Sequence, residues 1–538
     1  MPQRALAALF HRLEFGLDAC FGRRWNPLYQ LGALGFFYYW VVAVSGIYLY
    51  IFFDTGTTAA YESVERLTHD QWYLGGVMRS LHRYASDGMV LMMGVHILRE
   101  YALGHLKGPR WFTWTTGIPI AGLIVVAGIS GYWLVWDRLA QYVAIESMEW
   151  LDWLGIFGEP IARNFAAPNT LDDRFFTLLV FIHIVVPLLL LLVLWIHLQR
   201  VTRPAINPNR SLALGTFAML VVLSLIKPAV SHEAADLATV VGELKLDWFY
   251  LAAYPLMDIL SDGGVWALAL TVTVVLAALP LLPPRWKAPP AVVHLESCNG
   301  CERCADDCPY SAILMRPRSD GLPFEREAVV DPLLCVACGL CAGACPTATP
   351  FRRRSALLPG IELPDQTLSG LRDELEAAAD GLTAGPRVIV FSCRHGAKAA
   401  ALAGASVATL TQPCTASLPP SFIDYALSRG LADGVLLAGC SEGACEYRFG
   451  ALWTEARIAG RRDPYLRPRV PRERLRLVAA SPCETGRLAT ALKDFKVDLA
   501  RLAENKTREV APARPGAALL AAAPGAAAPG AAEEVSDA

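Results

Sequence analysis

The pattern of hydrophobic positions divides the chain into two unlike halves. Before residue 285, six apolar runs have about the length that a helix needs to cross a membrane, the fifth being the shortest. They cover residues 31–53, 80–101, 112–136, 174–198, 212–226 and 265–282. Residues 1–29 carry four arginines on an apolar background and are predicted to form an amphipathic helix. Residues 1–283 are therefore predicted to form an all-α transmembrane bundle of about six helices.

After this bundle the pattern predicts smaller domains. A Pro-rich linker at 284–294 leads to a cysteine-rich α+β segment at 295–350, and a connector with one polar helix follows at 351–385. In 386–505 short apolar runs alternate with helical stretches, which is typical of a parallel α/β sheet. The predicted strands are 388–391, 406–410, 435–438 and 475–479, with helices near 420–429, 444–459 and 484–500. Residues 506–538 are rich in Ala, Pro and Gly and are predicted to be a disordered tail.

Composition supports a multidomain membrane protein. The 538 residues are 54% hydrophobic, with a mean hydropathy of +0.35 in the chain, which is too apolar for a wholly soluble protein. A net charge of −2 gives no indication of nucleic-acid binding. Basic residues occupy the amino terminus and alternate loops, while acidic residues occupy the others. The positive-inside rule then places both termini and the cysteine-rich domains in the cytoplasm. We expect a multi-pass protein of a bacterial inner membrane, in contact with lipid.

Four histidines in the apolar half occur in two equally spaced pairs. His82 and His96 lie 14 residues apart, and so do His183 and His197. Fourteen residues of helix bring the second side chain back to within about 40° of the first, about 21 Å further along the axis. Two such helices can hold two metal centres one above the other, and imidazole is an axial ligand of haem iron. The alternative is that the histidines form polar contacts between helices.

Glycines and nearby motifs extend this pattern. Gly32 and Gly46, and likewise Gly117 and Gly131, are 14 residues apart, so a flat macrocycle can approach each helix twice. With Arg79 and the stretches 131–134, 172–176 and 246–251, the region resembles cytochrome b of quinol-oxidising cytochrome bc complexes. The resemblance implies two b-type haems, held by His82–His183 and His96–His197, quinone as a substrate, and a homodimer.

Three candidate residues lie near the predicted haems. Asp247 and Leu246 stand where the family has the glutamate and proline of a Pro-Glu-Trp-Tyr motif, and residues 135–138 read Val-Trp-Asp-Arg where the family has Pro-Trp-Gly-Gln. Asp247 is the candidate proton acceptor of a quinone site, and a solvated loop acid is the alternative. Arg79 and Arg99 are candidate partners of haem propionates, and a snorkelling arginine is the alternative for each.

Thirteen of the fourteen cysteines follow residue 297, and eight of them form two copies of one motif. Each copy has the spacing C-x2-C-x2-C-x3-C-P, which is typical of [4Fe–4S] clusters whose last cysteine serves the neighbouring cluster. One predicted ligand set is Cys298, Cys301, Cys304 and Cys345. The other is Cys335, Cys338, Cys341 and Cys308. Zinc is the alternative, and the segment resembles a two-cluster bacterial ferredoxin.

Five further cysteines accompany the predicted strands of the last domain. Cys393, Cys414, Cys440 and Cys483 each follow a strand, and Cys445 opens a helix. The carboxyl ends of parallel strands meet at one edge, which predicts a metal centre there, most simply [2Fe–2S]. Buried structural thiols and a catalytic disulfide are the alternatives.

Residues 386–497, with Gly-Cys-x4-Cys-x-Tyr at 439–447, resemble the delta subunit of methyl-viologen-reducing hydrogenase. The resemblance implies a [2Fe–2S] cluster that relays electrons to a flavin-containing partner of the heterodisulfide-reductase type. Relatives usually have a further cysteine where this chain has Gly396, and Cys483 is the candidate substitute.

These features predict an electron-transfer subunit of a quinone oxidoreductase. The sequence has no dinucleotide fingerprint, nickel-site cysteine pairs or molybdenum-cofactor signature, so substrate chemistry is assigned to a cytoplasmic flavin or dehydrogenase partner. Electrons would pass between that partner and membrane quinone. One alternative is quinol oxidation near Asp247, with electrons split towards ferredoxin-like acceptors. Another is a membrane anchor and assembly platform.

Overall fold

The computed structural model describes residues 2–165, 171–199, 201, 203–239, 242–282, 288–353, 355, 357–441 and 443–510. Side chains are described up to residue 505. The first half is helical, as predicted. Its helices are α1 (Pro2–Phe21), α2 (Leu31–Phe52), α3 (Ala59–His69), α4 (Val77–Ala102), α5 (Trp111–Trp133), α6 (Arg138–Asp152), α7 (Asp173–Leu198), α8 (Arg210–Ile226) and α9 (Ala253–Ala278).

Four helical segments of the described chain are long and apolar enough to cross a membrane. They are Pro27–Phe52, Gly108–Trp133, Asp173–Leu198 and Ala253–Leu281. Helix α4 is equally long but carries several charged side chains, and α8 has only 17 residues. Helix α9 begins twelve residues before the predicted start at 265, and a kink at Ser261 divides it. The chain therefore has a membrane-spanning helical domain, termed the membrane domain below.

The cysteine-rich segment predicted at 295–350 is termed the ferredoxin-like domain below. It contains short elements that hold its two cysteine motifs. They are β1 (Val292–Val293), α10 (Arg303–Asp306), β2 (Ile313–Pro317), β3 (Arg326–Val330), α11 (Leu340–Ala344) and β4 (Ile361–Glu362). Strand β1 pairs antiparallel with β4, and β2 pairs antiparallel with β3. Because β1 lies within the predicted linker, the folded domain begins before residue 295. The first linker residues, 284–287, lie outside the described residues.

The C-terminal domain is the predicted parallel α/β sheet. Helix α12 (Leu368–Asp380) precedes it, and its elements are β5 (Val388–Cys393), β6 (Val407–Gln412), α13 (Pro420–Ser428), β7 (Gly434–Gly439), α14 (Gly450–Ile458), β8 (Leu475–Ala479) and α15 (Thr485–Val510). The strand order is β6-β5-β7-β8, all parallel. Helix α15 continues five residues beyond the predicted end of the domain, and residues 511–538 of the predicted tail lie outside the described residues.

Helix α1 joins the membrane domain to the C-terminal domain. Glu14 accepts hydrogen bonds from Nε and an NH2 group of Arg99 on α4, at 2.9 and 2.7 Å, and both side chains are buried. Removing one partner of such a pair costs about 3–5 kcal/mol, so this contact fixes α1 against α4. Directly after α1, Arg23 donates to Glu484 at 2.5 Å and to the carbonyl of Ala479 at 3.0 Å. The C-terminal domain thus lies at the end of α4 that carries His96.

Candidate functional site: a histidine ladder and three cysteine groups

The four predicted histidines face one another in two pairs between α4 and α7. His82 and His183 form the distal pair, and His96 and His197 form the proximal pair, which lies nearer the cysteine-rich domains. The ring centres of His82 and His183 are 6.2 Å apart. A metal–imidazole bond is about 2 Å long and the ring centre lies about 1 Å further, so rings that share one metal atom have centres about 6 Å apart. The distal pair has the spacing that two axial ligands require.

The second ring nitrogen of three of these histidines already has a partner. Nδ1 of His82 donates to the carbonyl of Val42 at 3.0 Å, and Nδ1 of His183 donates to that of Ala127 at 3.1 Å. Nδ1 of His197 lies 2.9 Å from the hydroxyl of Thr116. Such contacts orient a metal-bound imidazole and leave Nε2 as the free ligand atom. The histidines therefore fit haem iron.

A cavity of about 1830 Å³ contains the proximal pair. His96 and His197 line it, together with Gly32 and Gly117, and most of its other walls within the bundle are apolar. Trp133 also lines it, and its indole nitrogen is buried with no hydrogen-bond partner among the described residues. Buried donors without a partner indicate that something else occupies the space. The cavity fits a large, flat, mostly apolar group such as haem.

Each of the four equally spaced glycines lies against one histidine. A Cβ atom at Gly46 would lie 2.9 Å from Cε1 of His82, and one at Gly131 would lie 3.0 Å from Cε1 of His183. The corresponding distances for Gly32 to His96 and Gly117 to His197 are 3.6 and 3.7 Å. The missing side chains therefore let the imidazoles approach α2 and α5, so each glycine makes room for a predicted haem ligand.

Gly131→Ala is expected to disturb the distal haem site. The added methyl group would press on His183 and tilt its ring away from the metal, because Cβ contacts near 3.0 Å are too short to be kept. We expect b-type haem content to fall by up to about half, with a high-spin signal from the remainder. Reduced-minus-oxidised spectra and electron paramagnetic resonance (EPR) measure this. Gly94→Ala on α4 is the matched control, since a Cβ there meets nothing within 4 Å. Unchanged spectra in Gly131→Ala would contradict the assignment.

The eight cysteines of the ferredoxin-like domain fall into the two predicted groups. Cys304 interacts electrostatically with Cys298, Cys301 and Cys345. Cys341 interacts with Cys338, Cys335 and Cys308, and also with Cys304 of the other group. Burial raises the pKa of Cys304 and of Cys338 to about 12, so a metal cluster is needed to hold these thiolates. The two predicted cluster sites are thus adjacent.

Four of the five C-terminal cysteines converge at the carboxyl edge of the sheet. Cys393, Cys414, Cys440 and Cys445 form the third cysteine group. Hydrogen bonds from Cys414 and Cys440 lower the pKa of Cys393. A Cβ atom at Gly450 would lie 2.2 Å from Sγ of Cys414 and 3.4 Å from Sγ of Cys445. Cys483 is exposed and does not share these contacts.

Two buried donors next to the third cysteine group lack partners among the described residues. They are the hydroxyl of Ser441, which follows Cys440, and the indole nitrogen of Trp453, which packs in one cluster with Cys414. Sulfur atoms of an iron–sulfur cluster accept such hydrogen bonds. No three His, Cys, Asp or Glu side chains in the described ranges converge on a single metal ion. The cysteines of an iron–sulfur cluster bind different iron atoms, so they surround a group larger than a single metal ion. The third cysteine group fits such a cluster.

Asp247 and Arg79 have protein partners in the structure. One Asp247 oxygen accepts from Arg83 at 2.6 Å and from the hydroxyl of Tyr132, and the other accepts from the backbone nitrogens of residues 249 and 250. Arg79 donates to Thr68 at 2.5 Å and to Ser231 at 2.7 Å. The proton-accepting role of Asp247 and the propionate role of Arg79 stay predictions.

A buried charged junction between the domains was missed by sequence reasoning. His105 lies 2.9 Å from Glu100 and 3.1 Å from Glu446 through its two ring nitrogens. Arg110 donates to the carbonyl of Glu446 at 2.5 Å and to the hydroxyl of Tyr310 at 2.9 Å. Burial raises the pKa of Glu446, but His105 and Arg110 outweigh it and lower that pKa to about 2. In the sequence the basic residues of the loop at 106–110 indicated only the orientation of the chain in the membrane, because their partners in the C-terminal domains are hundreds of residues away in the chain.

Comparisons with known proteins match the three parts separately. The family cytochrome b/b6/petB matches residues 18–204, the 4Fe-4S dicluster domain matches 297–349, and the delta subunit of methyl-viologen-reducing hydrogenase matches 388–503. The predicted resemblances are confirmed. The chain is 30% identical to cytochrome b6 of Porphyra purpurea over 187 residues, which are 34% of this chain and 85% of that protein. A chain of a hyperthermophilic respiratory complex III is similar with a TM-score of 0.40 and 18% identity, over 48% of this chain and 76% of that one.

Proposed function

Because this chain belongs to the cytochrome b family and continues into two iron–sulfur domains, it is a membrane electron-transfer subunit, and we propose that it connects a cytoplasmic electron donor to membrane quinone. The observation that carries the proposal is the cavity of about 1830 Å³, because the proximal histidine pair and two cysteines of the third group line it together. Haem and cluster sites are contiguous there. The donor is a flavin, dehydrogenase or heterodisulfide-reductase-type subunit, because the motifs found in this chain bind electron-transfer groups and none is typical of a substrate-oxidising site.

The residues for each cofactor follow from the pairs and groups above. His82 with His183 and His96 with His197 would hold two b-type haems, which supply one-electron redox chemistry when bound. The two groups of the ferredoxin-like domain would hold [4Fe–4S] clusters, and the third group a [2Fe–2S] cluster. The protein orients the imidazoles through their Nδ1 contacts and excludes water from the buried thiols. Asp247 and Arg83 would line a quinone site near the distal pair.

Quinol oxidation at Asp247 is less well supported than electron transfer to quinone. A carboxylate that takes a proton from quinol needs an accessible lone pair. Both oxygens of Asp247 already accept hydrogen bonds, one of them from the guanidinium of Arg83. The orientation proposed here, with both termini cytoplasmic, keeps the iron–sulfur domains on the side of the soluble donor. The protein would act in a bacterial inner membrane, as a homodimer.

Electron delivery from a soluble donor tests the proposal. In the full chain in membrane vesicles, we expect reduced ferredoxin, a protein probe too large to enter the helical bundle, to reduce the b haems. In the Cys301→Ala, Cys338→Ala chain this reduction is expected to slow at least tenfold, about 1.4 kcal/mol in barrier, because both predicted [4Fe–4S] sites lose a ligand. Stopped-flow absorbance of the haems gives the rates. Cys20→Ala is the control, since Cys20 is exposed and distant in sequence from the motifs. Reduction at the wild-type rate without the clusters would contradict the proposal.

A further inference from the structure

The third cysteine group contacts the ferredoxin-like domain, although it comes from the far end of the chain. Cys338 of the ferredoxin-like domain and Cys414 of the third group belong to one buried cluster. Its other buried members are Leu340, Ala416 and Trp453. The second predicted [4Fe–4S] site is therefore a direct neighbour of the third site.

The same group also shares a cavity with the proximal histidine pair. Cys440 and Cys445 line the cavity that His96 and His197 line. None of the cysteines of the ferredoxin-like domain lines this cavity among the described residues, although Pro309 and Tyr310, which follow Cys308, reach its wall. Two routes to the proximal pair thus exist, one through the third group and one past Tyr310. Only the first route has predicted cofactor ligands at the cavity wall from both domains, namely the histidines of the proximal pair and the cysteines of the third group.

The contact between the two iron–sulfur domains requires glycine. A Cβ atom at Gly343 on α11 would lie 1.9 Å from the carbonyl oxygen of Ala416, and one at Gly339 would lie 2.6 Å from Cβ of Ser417. Helix α11 carries Cys341 of the ferredoxin-like domain, and Ala416 and Ser417 follow Cys414. The backbones therefore touch beside the ligands of both sites.

One buried arginine ties this contact together. Arg457 on α14, with 2% of its side chain exposed, forms an ion pair with Asp307, which precedes Cys308. It also donates to the carbonyls of Ala416 at 2.7 Å and of Leu340 at 3.3 Å. Its Nε has no partner in the described part of the chain. The guanidinium of this buried arginine bonds residues that lie close in sequence to ligands of both the second [4Fe–4S] site and the third site. It therefore fixes the distance between these two sites.

We propose that the third cysteine group is the relay between the ferredoxin-like domain and the proximal histidine pair, with Arg457 as the positioning residue that holds it in place. The proposal rests on the electron-transfer function above. The order in space is then ferredoxin-like groups, third group, proximal pair, distal pair, which differs from the order in the chain. Each transfer between these protein-bound groups moves one electron and makes or breaks no bond. A reduced iron–sulfur protein or a flavin hydroquinone supplies the electrons, and quinone takes up two of them with two protons.

The test uses the full chain in detergent, with iron and acid-labile sulfide determined for every variant. EPR of the reduced wild type is expected to show magnetic interaction between the third cluster and its [4Fe–4S] neighbour. Cys414→Ser is expected to abolish this interaction and slow haem reduction by reduced ferredoxin at least tenfold, while both [4Fe–4S] signals are kept. Arg457→Gln is expected to weaken the interaction and slow haem reduction with all iron retained, and Arg457→Lys to recover part of both. Arg461→Gln is the control, because the side chain of Arg461 is exposed and its guanidinium donates to the equally exposed Glu455.

Two results would overturn the proposal, the first by removing the relay and the second by removing the positioning role of Arg457. The first is haem reduction at the wild-type rate in a Cys414→Ser chain that has lost the third cluster, since electrons would then pass by Tyr310. The second is an unchanged magnetic interaction and rate in Arg457→Gln. Either result leaves the proposed function standing, because that function fails only if haem reduction does not depend on the [4Fe–4S] ligands Cys301 and Cys338.

Discussion

His183→Leu is expected to remove about half of the b-type haem from the chain, since one of two predicted haems loses an axial ligand. The structure gives a physical reason for so large an effect. The ring of His183 stands 6.2 Å from that of His82, and its Nδ1 is held by the carbonyl of Ala127. Leucine offers no ligand atom. Among the described residues, the one imidazole whose ring packs near His183 is that of His82, its partner in the pair. The pyridine haemochromogen assay, with protein quantified independently, measures the loss.

The pairing itself is tested by combining substitutions. His82→Leu is expected to give the same spectrum as His183→Leu, and the double variant is expected to lose no more haem than either single one. Adding His96→Leu to His183→Leu is expected to remove both haems, because one ligand is then missing from each pair. His69→Leu is the matched control, since His69 is exposed at the end of α3 and lies 3.1 Å from Glu65. Loss of both haems in the His82, His183 double variant would show that the pairs are assigned wrongly.

Periodicity was sufficient to predict that His82 and His96 share one helix face and that His183 and His197 share another, while the pairing between the helices was implied by the family resemblance. Spacings of 14 residues fix which side chains share a helix face, and this local rule holds whatever the rest of the chain does. The parallel strands could be predicted equally well from the sequence, because β5, β7 and β8 are short apolar runs followed by turns. Each of these predictions depends on neighbours in sequence, which is why the structure reproduces them closely.

Features that depend on tertiary contacts were outside the reach of the sequence. The start of α9 was placed at 265, because Asp258 and Asp262 interrupt the apolar run, whereas the helix begins at Ala253 and is kinked at Ser261. The junction of His105 with Glu446 joins residues 341 positions apart, and no local pattern marks them as partners. The same is true of Arg457 and Asp307.

The choice among the C-terminal cysteines also depended on tertiary structure. Four of them end or follow a strand, and Cys445, which was predicted to open a helix, lies in the loop five residues before α14, so topology alone brings five thiols to one edge. Cys483, however, comes four residues after β8, an edge strand of the sheet. Its turn is held by Glu484, which accepts from the backbone nitrogen of Ser481 at 2.8 Å and from Arg23 at 2.5 Å. This arrangement leaves Cys483 exposed, while the sulfur atoms of the third group are largely buried.

Replacing any member of the third cysteine group with serine is therefore expected to abolish the third cluster, and Cys483→Ser is expected to keep it. Cys393, Cys414 and Cys440 are buried, and Gly450 leaves room for sulfur beside Cys414 and Cys445. Losing one of four ligands from a buried site leaves an iron atom open to solvent or to loss, and the hydrogen bonds around the remaining thiols cannot restore it. Iron content is expected to fall from ten to about eight atoms per chain, leaving aside the haems. EPR of the reduced protein follows the [2Fe–2S] signal directly.

Cys483→Ser provides the sharpest comparison, because it changes the same atom on the same edge of the sheet. If Cys483 were the substitute for the cysteine that relatives have at position 396, its loss would remove the signal as completely as Cys414→Ser does. Retention of the signal in Cys483→Ser, together with its loss in Cys445→Ser, assigns the ligand set to the four converging thiols. The opposite pair of results would require the turn at 481–484 to refold and break the Arg23–Glu484 contact, which would also loosen α1 from the C-terminal domain.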